Sequence, residues 1–188
     1  MQKAKILVLG PCESGKTVLS NFLADATETS GGEYHPTQGV RILEFEGNAI
    51  GGGSRPKPVE VELWDCSGDR KFESCWPSMA RDAIGVMFVF NPDEANHDKE
   101  LDTWYSYFME QQGLREYQSI VFAHHKPQTS DQERAQLSAS FSKIKTVHTN
   151  IEEDAEGVRQ EFYKFLGTLV TAMTDKQEEE ELNIMNSR

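Results

Sequence analysis

The amino-acid sequence predicts an α/β fold in which helices cover both faces of a mostly parallel sheet. Residues 6–9, 85–90 and 119–123 are short apolar runs rich in Val, Ile and Phe, which are typical of buried strands. Amphipathic helical patterns lie between these runs. Buried strands that alternate with helices along the chain predict such a layered sheet.

Two further segments predict a hairpin. Residues 40–45 alternate in part between apolar and polar side chains, and residues 59–63 alternate strictly, so one face of the pair should be wetter than the other. The connector, residues 47–58, holds three consecutive glycines and two prolines and is predicted to be a flexible loop. A last short strand is expected at residues 146–148.

Three segments predict helices because their apolar residues recur at helical spacing. Their apolar faces are formed by Val18, Leu19, Phe22 and Leu23; by Leu101, Trp104, Tyr105, Phe108 and Met109; and by Val158, Phe162, Phe165, Leu166, Leu169, Val170 and Met173. Trp76 and Trp104 are interpreted as core residues rather than as parts of a ligand site.

Composition excludes some classes of function. The chain has 188 residues, enough for one domain, and its 19 Lys and Arg against 31 Asp and Glu give a net charge of −12. This balance argues against general binding of nucleic acid or of anionic membranes. No apolar run approaches the roughly 20 residues of a membrane span. The three cysteines suggest reduced thiols, and none is placed for a prenyl anchor. We therefore expect a soluble, cytosolic domain.

The strongest motif is a complete G-x-x-x-x-G-K-[ST] sequence between the first strand and the first helix. This phosphate loop comprises Gly10, Pro11, Cys12, Glu13, Ser14, Gly15, Lys16 and Thr17. Its glycines let backbone N–H groups curl around a phosphate, and the helix dipole favours an anion there. We expect Lys16 to reach the terminal phosphates and Thr17 to offer its hydroxyl to Mg²⁺. A chain of this length would match the motif by chance with a probability of about one in a hundred. We therefore predict a nucleotide-binding site, and we include the next residue, Val18, among the residues that contact the nucleotide.

Kinases, ATPases and GTPases all carry a phosphate loop, so other motifs must identify the chemistry. The strand at residues 59–63 leads into Trp64, Asp65 and, three residues later, Gly68. A carboxylate at the C-terminal end of a strand beside the loop can hold Mg²⁺ through water, and Gly68 allows close approach to a γ-phosphate. D-x-x-G alone is common in turns, so its weight comes from its position relative to the loop.

Residues 34–40, Tyr-His-Pro-Thr-Gln-Gly-Val, resemble the first switch of the Ras-like small GTPases, and of Rabs in particular. The matching positions are Thr37, Gly39, Val40, Trp64, Asp65, Gly68, Phe72 and Arg81. This resemblance covers residues 3–173. It implies a six-stranded sheet with an antiparallel second strand, a GTP-binding domain at residues 1–174, and bound GTP or GDP. It also implies Mg²⁺ held by Thr17, Thr37 and, through water, Asp65.

Phe45 and Trp64 partly match the aromatic surface that Rabs present to effectors, where Met79 replaces the third aromatic residue. Packing of Phe45 and Trp64 beneath the switches is an equally good interpretation.

The catalytic position departs from the resemblance. Asp69 stands where active members have a Gln that orients the attacking water. A carboxylate there repels the γ-phosphate and donates no amide hydrogen bond, so intrinsic hydrolysis is expected to be slow. Cys12 and Glu13 add bulk to the loop, and a side chain at residue 12 can obstruct an arginine finger.

The guanine-specificity motif N-K-x-D departs as well. His125, Lys126 and Gln128 stand at its positions. Lys126 can still lie along the base, but the amide of Gln128 offers one acceptor and one donor where a carboxylate would accept twice. Guanine preference therefore follows from the resemblance and not from these residues. The loop around Thr149 and Asn150 would form the remaining base edge. His124 and His125 should point to opposite faces of the strand, which argues against a common metal site.

The Ala-His-His-Lys-Pro stretch at residues 123–127 and Cys-Trp-Pro at residues 75–77 resemble a narrower family, the Rab-like small GTPases of the intraflagellar transport B complex. This resemblance implies coiled-coil partners within that complex and a location in the cytoplasm and cilium (flagellum, basal body). We also expect no nucleic acid, no direct lipid anchor, and a monomer when the protein is isolated.

Three functions stay open at this stage. The first is a nucleotide-stabilised adaptor that holds GTP, the second is a regulated GTPase switch whose partner supplies catalysis, and the third is an ATP-using phosphotransferase. Residues 175–188, with four consecutive glutamates, are predicted to be an acidic, solvated and flexible tail.

Overall fold

The computed structural model describes residues 3–26, 37–51, 55–125 and 136–186. Its strands are β1 (Lys3–Leu9), β2 (Val40–Ala49), β3 (Lys57–Cys66), β4 (Gly85–Phe90), β5 (Ser119–His124) and β6 (Thr146–Thr149). Its α-helices are α1 (Lys16–Leu23), α2 (Trp76–Ala80), α3 (His97–Tyr105) and α4 (Ala155–Asn186). Short 3₁₀ turns occupy Arg70–Cys75, Glu116–Gln118 and Ala139–Phe141, and Ser106–Gln111 forms a π-helical turn.

The six strands form one sheet in the order β2-β3-β1-β4-β5-β6. β2 runs antiparallel to β3, and the remaining neighbours are parallel. The predicted fold, a mostly parallel six-stranded sheet with an antiparallel second strand, is confirmed. Because β1 lies between β3 and β4, the loop that follows β1 meets the C-terminal end of β3.

Each face of the sheet carries its own core, because successive side chains of a strand point to opposite sides. Ile6 and Val8 of β1 pack with Leu19 of α1 and Phe162 of α4 on one face. On the other face the core joins β1, β4 and β5 to α2 and α3, and it includes Phe88, Trp104, Phe108 and Trp76. Burial on both faces explains why the central strands are continuous apolar runs in the sequence.

The hairpin strands are longer than predicted. β2 continues to Ala49 and β3 begins at Lys57, so the predicted loop at residues 47–58 is wrong at both ends. Pro58 is tolerated because it pairs only with β2, whereas β1 first pairs with β3 at Glu60. Gly47 lies within β2, where α4 packs closely on the strand: a Cβ at this position would stand 2.9 Å from Leu166 Cδ2.

Two helical predictions need correction. Val18 does not lie on the buried face of α1, where Leu19 and Leu23 are buried while Val18 is 53% exposed. The helical pattern from Leu101 onward changes from α3 to the π-helical turn after Tyr105, although Trp104, Phe108 and Met109 are buried as predicted. Trp76 contacts Trp104 at a centroid distance of 6.3 Å, so the interpretation of both tryptophans as core residues is confirmed.

The acidic C-terminal segment is helical. The sequence predicts a solvated, flexible tail from residue 175, but α4 runs without interruption to Asn186. Glu, Lys, Gln and Leu are strong helix formers, and Lys176 pairs with Glu180 at 3.9 Å along one face of the helix. The side chains of residues 175–185 are exposed as predicted, while the flexibility of the segment and a domain boundary at residue 174 stay predictions. No described helix has the length and hydropathy of a membrane span.

Gly167 of α4 sets how closely this helix approaches β2. A Cβ at Gly167 would stand 2.0 Å from the carbonyl oxygen of Ile50, a backbone atom that has no freedom to rotate away. We expect Gly167→Ala to lower the free energy of unfolding by about 1–3 kcal/mol, as overpacking does. Denaturant unfolding of the variant measures this loss.

The matched control is Thr168→Ala, at the next and exposed position of α4, which should change stability by less than about 0.5 kcal/mol. A stabilised Gly167→Ala variant, the usual result inside an exposed helix, would contradict the close helix–sheet contact.

Candidate nucleotide-binding site

The phosphate loop connects β1 to α1 at the C-terminal edge of the sheet. Gly10 has a φ of 152°, and a Cβ there would stand 2.0 Å from the carbonyl oxygen of Val89 in β4. Gly15 has a φ of 93° and is the residue that precedes α1. Both positions therefore require glycine.

Lys16 is buried within this loop, with 6% of the residue exposed. Its ammonium donates hydrogen bonds to the carbonyl oxygen of Pro11 at 2.5 Å and to the Ser14 hydroxyl at 3.5 Å. Burial lowers the pKa of Lys16, and the carboxylate of Asp65 partly offsets that effect. A buried ammonium held by loop oxygens is suited to an anionic ligand, whose charge would compensate the lost hydration.

Thr17, Thr37 and Asp65 converge, although they come from α1, the segment before β2 and the end of β3. The Thr17 hydroxyl donates to Asp65 Oδ2 at 2.7 Å and lies 3.1 Å from the Thr37 hydroxyl. The sequence predicted these residues as the Mg²⁺ ligands, and the structure brings them together.

The Asp65 carboxylate is fully buried and only half satisfied. Its Oδ2 accepts the Thr17 bond and lies 3.5 Å from Arg41 Nη2, while its Oδ1 is buried without a hydrogen-bond partner. Burial raises the pKa of Asp65, against the hydrogen bond from Thr17 and the charges of Lys16 and Arg41. An orphaned carboxylate oxygen beside two hydroxyls is the hard oxygen donor set that Mg²⁺ prefers, so these residues fit the metal.

Gly68 lies directly against the phosphate loop. A Cβ on Gly68 would stand 2.4 Å from the Cys12 nitrogen and 2.5 Å from the Pro11 carbonyl carbon. The neighbouring Ser67 donates its N–H to the Gly39 carbonyl at 2.8 Å. The segment before β2, which resembles a first switch, is thus joined to the segment that follows β3, and the latter lies against the phosphate loop.

Asp69 forms a local cap at the start of the 3₁₀ turn Arg70–Cys75. Its carboxylate accepts the Lys71 N–H at 2.9 Å and pairs with the Lys71 ammonium at 3.2 Å. These two contacts lower the pKa of Asp69, and the hydrogen bond from the Lys71 N–H has the larger effect. The side chain at the position of the catalytic Gln is therefore ionised and engaged by its own turn.

The residues predicted to border the base lie where β5 and β6 end. His125 donates its backbone N–H to the Thr149 carbonyl at 2.9 Å, and Asn150 Oδ1 accepts the Glu152 N–H at 3.1 Å. Predicted residues Lys126 and Gln128 lie outside the described residues. His124, Thr149, His125 and Asn150 form the described part of this end.

Sequence reasoning missed several side chains here. His125 Nδ1 lies 3.3 Å from Asp93 Oδ2, and its Nε2 lies 3.1 Å from His148 Nδ1. His124 instead turns to the Thr149 hydroxyl at 3.0 Å and is 6% exposed. The two adjacent histidines have separate partners, as their opposite faces predicted. Two consecutive histidines at the end of an apolar strand are a sequence signal for polar contacts at this edge of the sheet. The sequence does not identify the partners of these histidines, because the partners are distant along the chain.

The aromatic positions resembling a Rab effector surface are mostly packed. Phe45 contacts Phe162 of α4 at a centroid distance of 6.2 Å, and Met79 is 2% exposed. Trp64 is half-buried, and the Lys5 ammonium lies 3.6 Å from the centre of its ring. These contacts favour the packing interpretation for Phe45.

The strand order, the phosphate loop after β1 and the buried aspartate at the end of β3 define a Ras-type P-loop protein. Residues 5–127 match the family described as Roc, the Ras of Complex domain of DAPkinase. The "Intraflagellar transport protein 22 homolog" of Danio rerio is 51% identical over 186 residues, 98% of this chain and 100% of the relative; the Homo sapiens homologue is 49% identical over the same length and shares. The chain belongs to the intraflagellar transport protein 22 family.

Solved structures agree with this assignment. The GDP-bound T. brucei IFT22 crystal structure superposes with a TM-score of 0.69 and 27% identity, covering 92% of this chain and 99% of the other. The GTP-bound T. brucei IFT22/74/81 crystal structure matches with a TM-score of 0.66 and 30% identity over the same shares.

The buried carboxylate of Asp65 predicts an unusual pH dependence. Because its folded pKa is raised, the unfolded chain loses this proton first as pH rises, so nucleotide-free protein loses stability between the ordinary carboxyl pKa and the raised one. We expect Asp65→Asn to flatten this loss and to stabilise the nucleotide-free protein near neutral pH by about 1–2 kcal/mol. The added stability from GDP with Mg²⁺ should shrink in the variant. Thermal unfolding across pH, with and without ligand, measures both effects.

Asp69→Asn is the control of opposite sign, because the pKa of Asp69 is lowered in the fold and neutralising it should lower stability. A nucleotide-free Asp65→Asn protein that is less stable than the parent at neutral pH would show that the carboxylate is not a burden in the empty site.

Proposed function

We propose that the chain is a small-GTPase-like subunit of the intraflagellar transport B particle that binds guanine nucleotide and docks on its partners in the GTP-bound form. The observation that carries this proposal is the junction of Thr17, Thr37 and Asp65 beside the buried Lys16. The junction links the residues that would face a Mg²⁺-bound phosphate to the segment that begins β2. The presence of a terminal phosphate could thereby decide where that segment lies.

The nucleotide would lie along the C-terminal edge of the sheet. Its phosphates would be held by the backbone of the loop and by Lys16, with Thr17, Thr37 and Asp65 holding Mg²⁺, which neutralises phosphate charge when bound. The proposed nucleotide-contacting residues are Gly10, Pro11, Cys12, Glu13, Ser14, Gly15, Lys16, Thr17, Val18, Thr37, Gly68, His125, Lys126, Gln128, Thr149 and Asn150. The GDP-bound and GTP-bound T. brucei IFT22 structures support guanine as the base.

A bound γ-phosphate would affect two segments that are already in contact, the one before β2 and the one that follows β3. Ser67 donates to the Gly39 carbonyl, and Gly68 lies against Cys12 and Pro11 of the loop. A γ-phosphate contacted by Thr37 and Gly68 would order residues on both sides of this hydrogen bond at once. The surface formed by the two segments would then differ between GTP and GDP.

Slow intrinsic hydrolysis follows from the position of Asp69. Its ionised carboxylate is engaged by Lys71 and has no amide N–H to donate to a water molecule. Exposed Cys12 at the loop would also crowd an arginine finger from a partner. The protein would hold GTP for long periods, and the bound nucleotide would stabilise the fold.

The partners we propose are coiled-coil subunits of the same particle. The T. brucei IFT22/74/81 structure contains a relative of this chain together with IFT74 and IFT81. We infer that the chain acts in the cytoplasm and cilium through such contacts, as a monomer when isolated, with residues 1–174 as the nucleotide-binding domain and residues 175–188 as an acidic extension.

Replacement of Asp69 by Gln should restore part of the missing catalysis. Glutamine removes the negative charge and adds an amide that can orient water, so single-turnover GTP hydrolysis by the isolated protein should accelerate by about tenfold or more. Asp69→Asn is the matched control, because it removes the charge but has a shorter reach. We expect a smaller gain from Asn than from Gln; no acceleration by Gln would refute Asp69 as the cause of slow hydrolysis.

Docking should depend on the nucleotide. Protein loaded with a non-hydrolysable GTP analogue should bind its IFT74/81 partners about tenfold more tightly than GDP-loaded protein, a typical size for coupling between two sites. The Thr37→Ala variant should bind the partners with similar, low affinity whether it is loaded with the GTP analogue or with GDP. The reason is that the γ-phosphate loses its contact with the side chain of residue 37. Titration calorimetry of each loaded form gives the ratio, and equal affinities of the parent protein in both forms would contradict the proposed switch.

A further inference from the structure

The side chain of His124 bridges the two ends of the candidate site. It is the last residue of β5, and only 6% of the residue is exposed. One side of its ring faces the phosphate loop, since a Cβ on Gly15 would stand 2.5 Å from His124 Cδ2 and 3.3 Å from its Nε2. The ring therefore lies in direct contact with the residue that precedes Lys16.

On its other side, His124 contacts the base end. Its Nδ1 lies 3.0 Å from the hydroxyl of Thr149, the last residue of β6, which is 2% exposed. The hydroxyl can donate or accept, so it fits either tautomer of the ring. The backbone bond from His125 N–H to the Thr149 carbonyl, 2.9 Å long, closes the same junction.

We propose that His124 is a positioning residue that fixes the phosphate loop relative to the base loop, and that its bond to Thr149 slows nucleotide release. This inference rests on the proposed nucleotide-binding function. The ring limits movement of Gly15, and hence of Lys16 and the first turn of α1. Thr149 leads directly into Asn150, so the same ring also limits the loop that would border the base.

The geometry assigns this role to His124 rather than to its neighbour. His125 directs its ring nitrogens toward Asp93 and His148, at 3.3 and 3.1 Å, on the opposite side of β5. Gly15 leaves no space for a Cβ beside His124, which shows that the loop and the ring are packed against each other. A ligand that contacts both loops would lose one of its two fixed anchor points if the ring ceased to join them.

The test is a double-mutant cycle on release of fluorescent GDP, chased with excess unlabelled GDP in Mg²⁺ buffer, using the full chain. His124→Phe keeps a ring against Gly15 but loses the Nδ1 bond, and Thr149→Val removes the hydroxyl at nearly constant volume. Each single variant should accelerate release by about tenfold, because a buried hydrogen bond is lost. The double variant should release fluorescent GDP no faster than the faster single variant, because the two substitutions remove the same hydrogen bond.

A conservative replacement and a distant control separate positioning from general stability. His124→Asn places an amide near the position of Nδ1 but removes the ring from Gly15, so relative to His124→Phe it should restore the bond to Thr149 and only part of the slow release. Ser119→Ala removes a buried hydroxyl whose bond to the Glu116 carbonyl is 2.9 Å long, at the opposite end of β5. It should lower the melting temperature but leave the release rate unchanged.

Three results would overturn the inference: unchanged release in Thr149→Val, multiplicative effects in the double variant, or equal acceleration in Ser119→Ala. Thr149→Val and His124→Asn carry the test if His124→Phe fails to fold. Failure of the proposed function itself looks different, since the parent protein would then bind no fluorescent GDP.

Discussion

The ammonium of Lys16 and the carboxylate of Asp65 are both buried at the edge of the sheet where β1 and β3 end. Burial of charge is costly unless each ion is compensated. Here the compensation is partial. Loop oxygens accept hydrogen bonds from Lys16, but Asp65 Oδ1 has no hydrogen-bond partner. A phosphate and a hard cation would complete both groups. The strand order is what brings the two charges together, since β1 pairs directly with β3.

Much of the fold around this pair could be predicted because its signals are local. The phosphate loop is a continuous motif, and the buried strands are continuous apolar runs. Asp65 is predicted from its position at the end of a strand beside the loop, and Thr37 through the resemblance; the structure places both in contact with Thr17. The helical form of residues 175–186 was missed because an acidic run was interpreted as a solvated tail, although its residues also favour helix. The exposed Val18 was assigned to the wrong face because apolar character alone does not fix the rotation of a short helix.

The base end could not be predicted to the same depth. His124 bonds a residue 25 positions further along the chain, and His125 contacts Asp93, 32 positions before it. Sequence gives the adjacency of two histidines but not the loops that they touch. Asp69 was interpreted only against a γ-phosphate, yet its partner is Lys71, two residues later. Short polar side chains commonly bond nearby backbone N–H groups in this way, so that contact was within reach of sequence reasoning.

The nucleotide that the protein retains through purification would show which ligand completes the site around Lys16 and Asp65. The full chain would be purified in Mg²⁺ buffer and denatured, and the released nucleotide would be separated by ion exchange and quantified per mole of protein. We expect nearly stoichiometric guanine nucleotide that is mostly GTP, because a bound nucleotide would compensate the buried charges of Lys16 and Asp65 and because Asp69 would slow hydrolysis. Mostly GDP would contradict slow hydrolysis and indicate a cycling GTPase. ATP, ADP or no nucleotide would contradict the assignment of a guanine nucleotide as the group that completes the site.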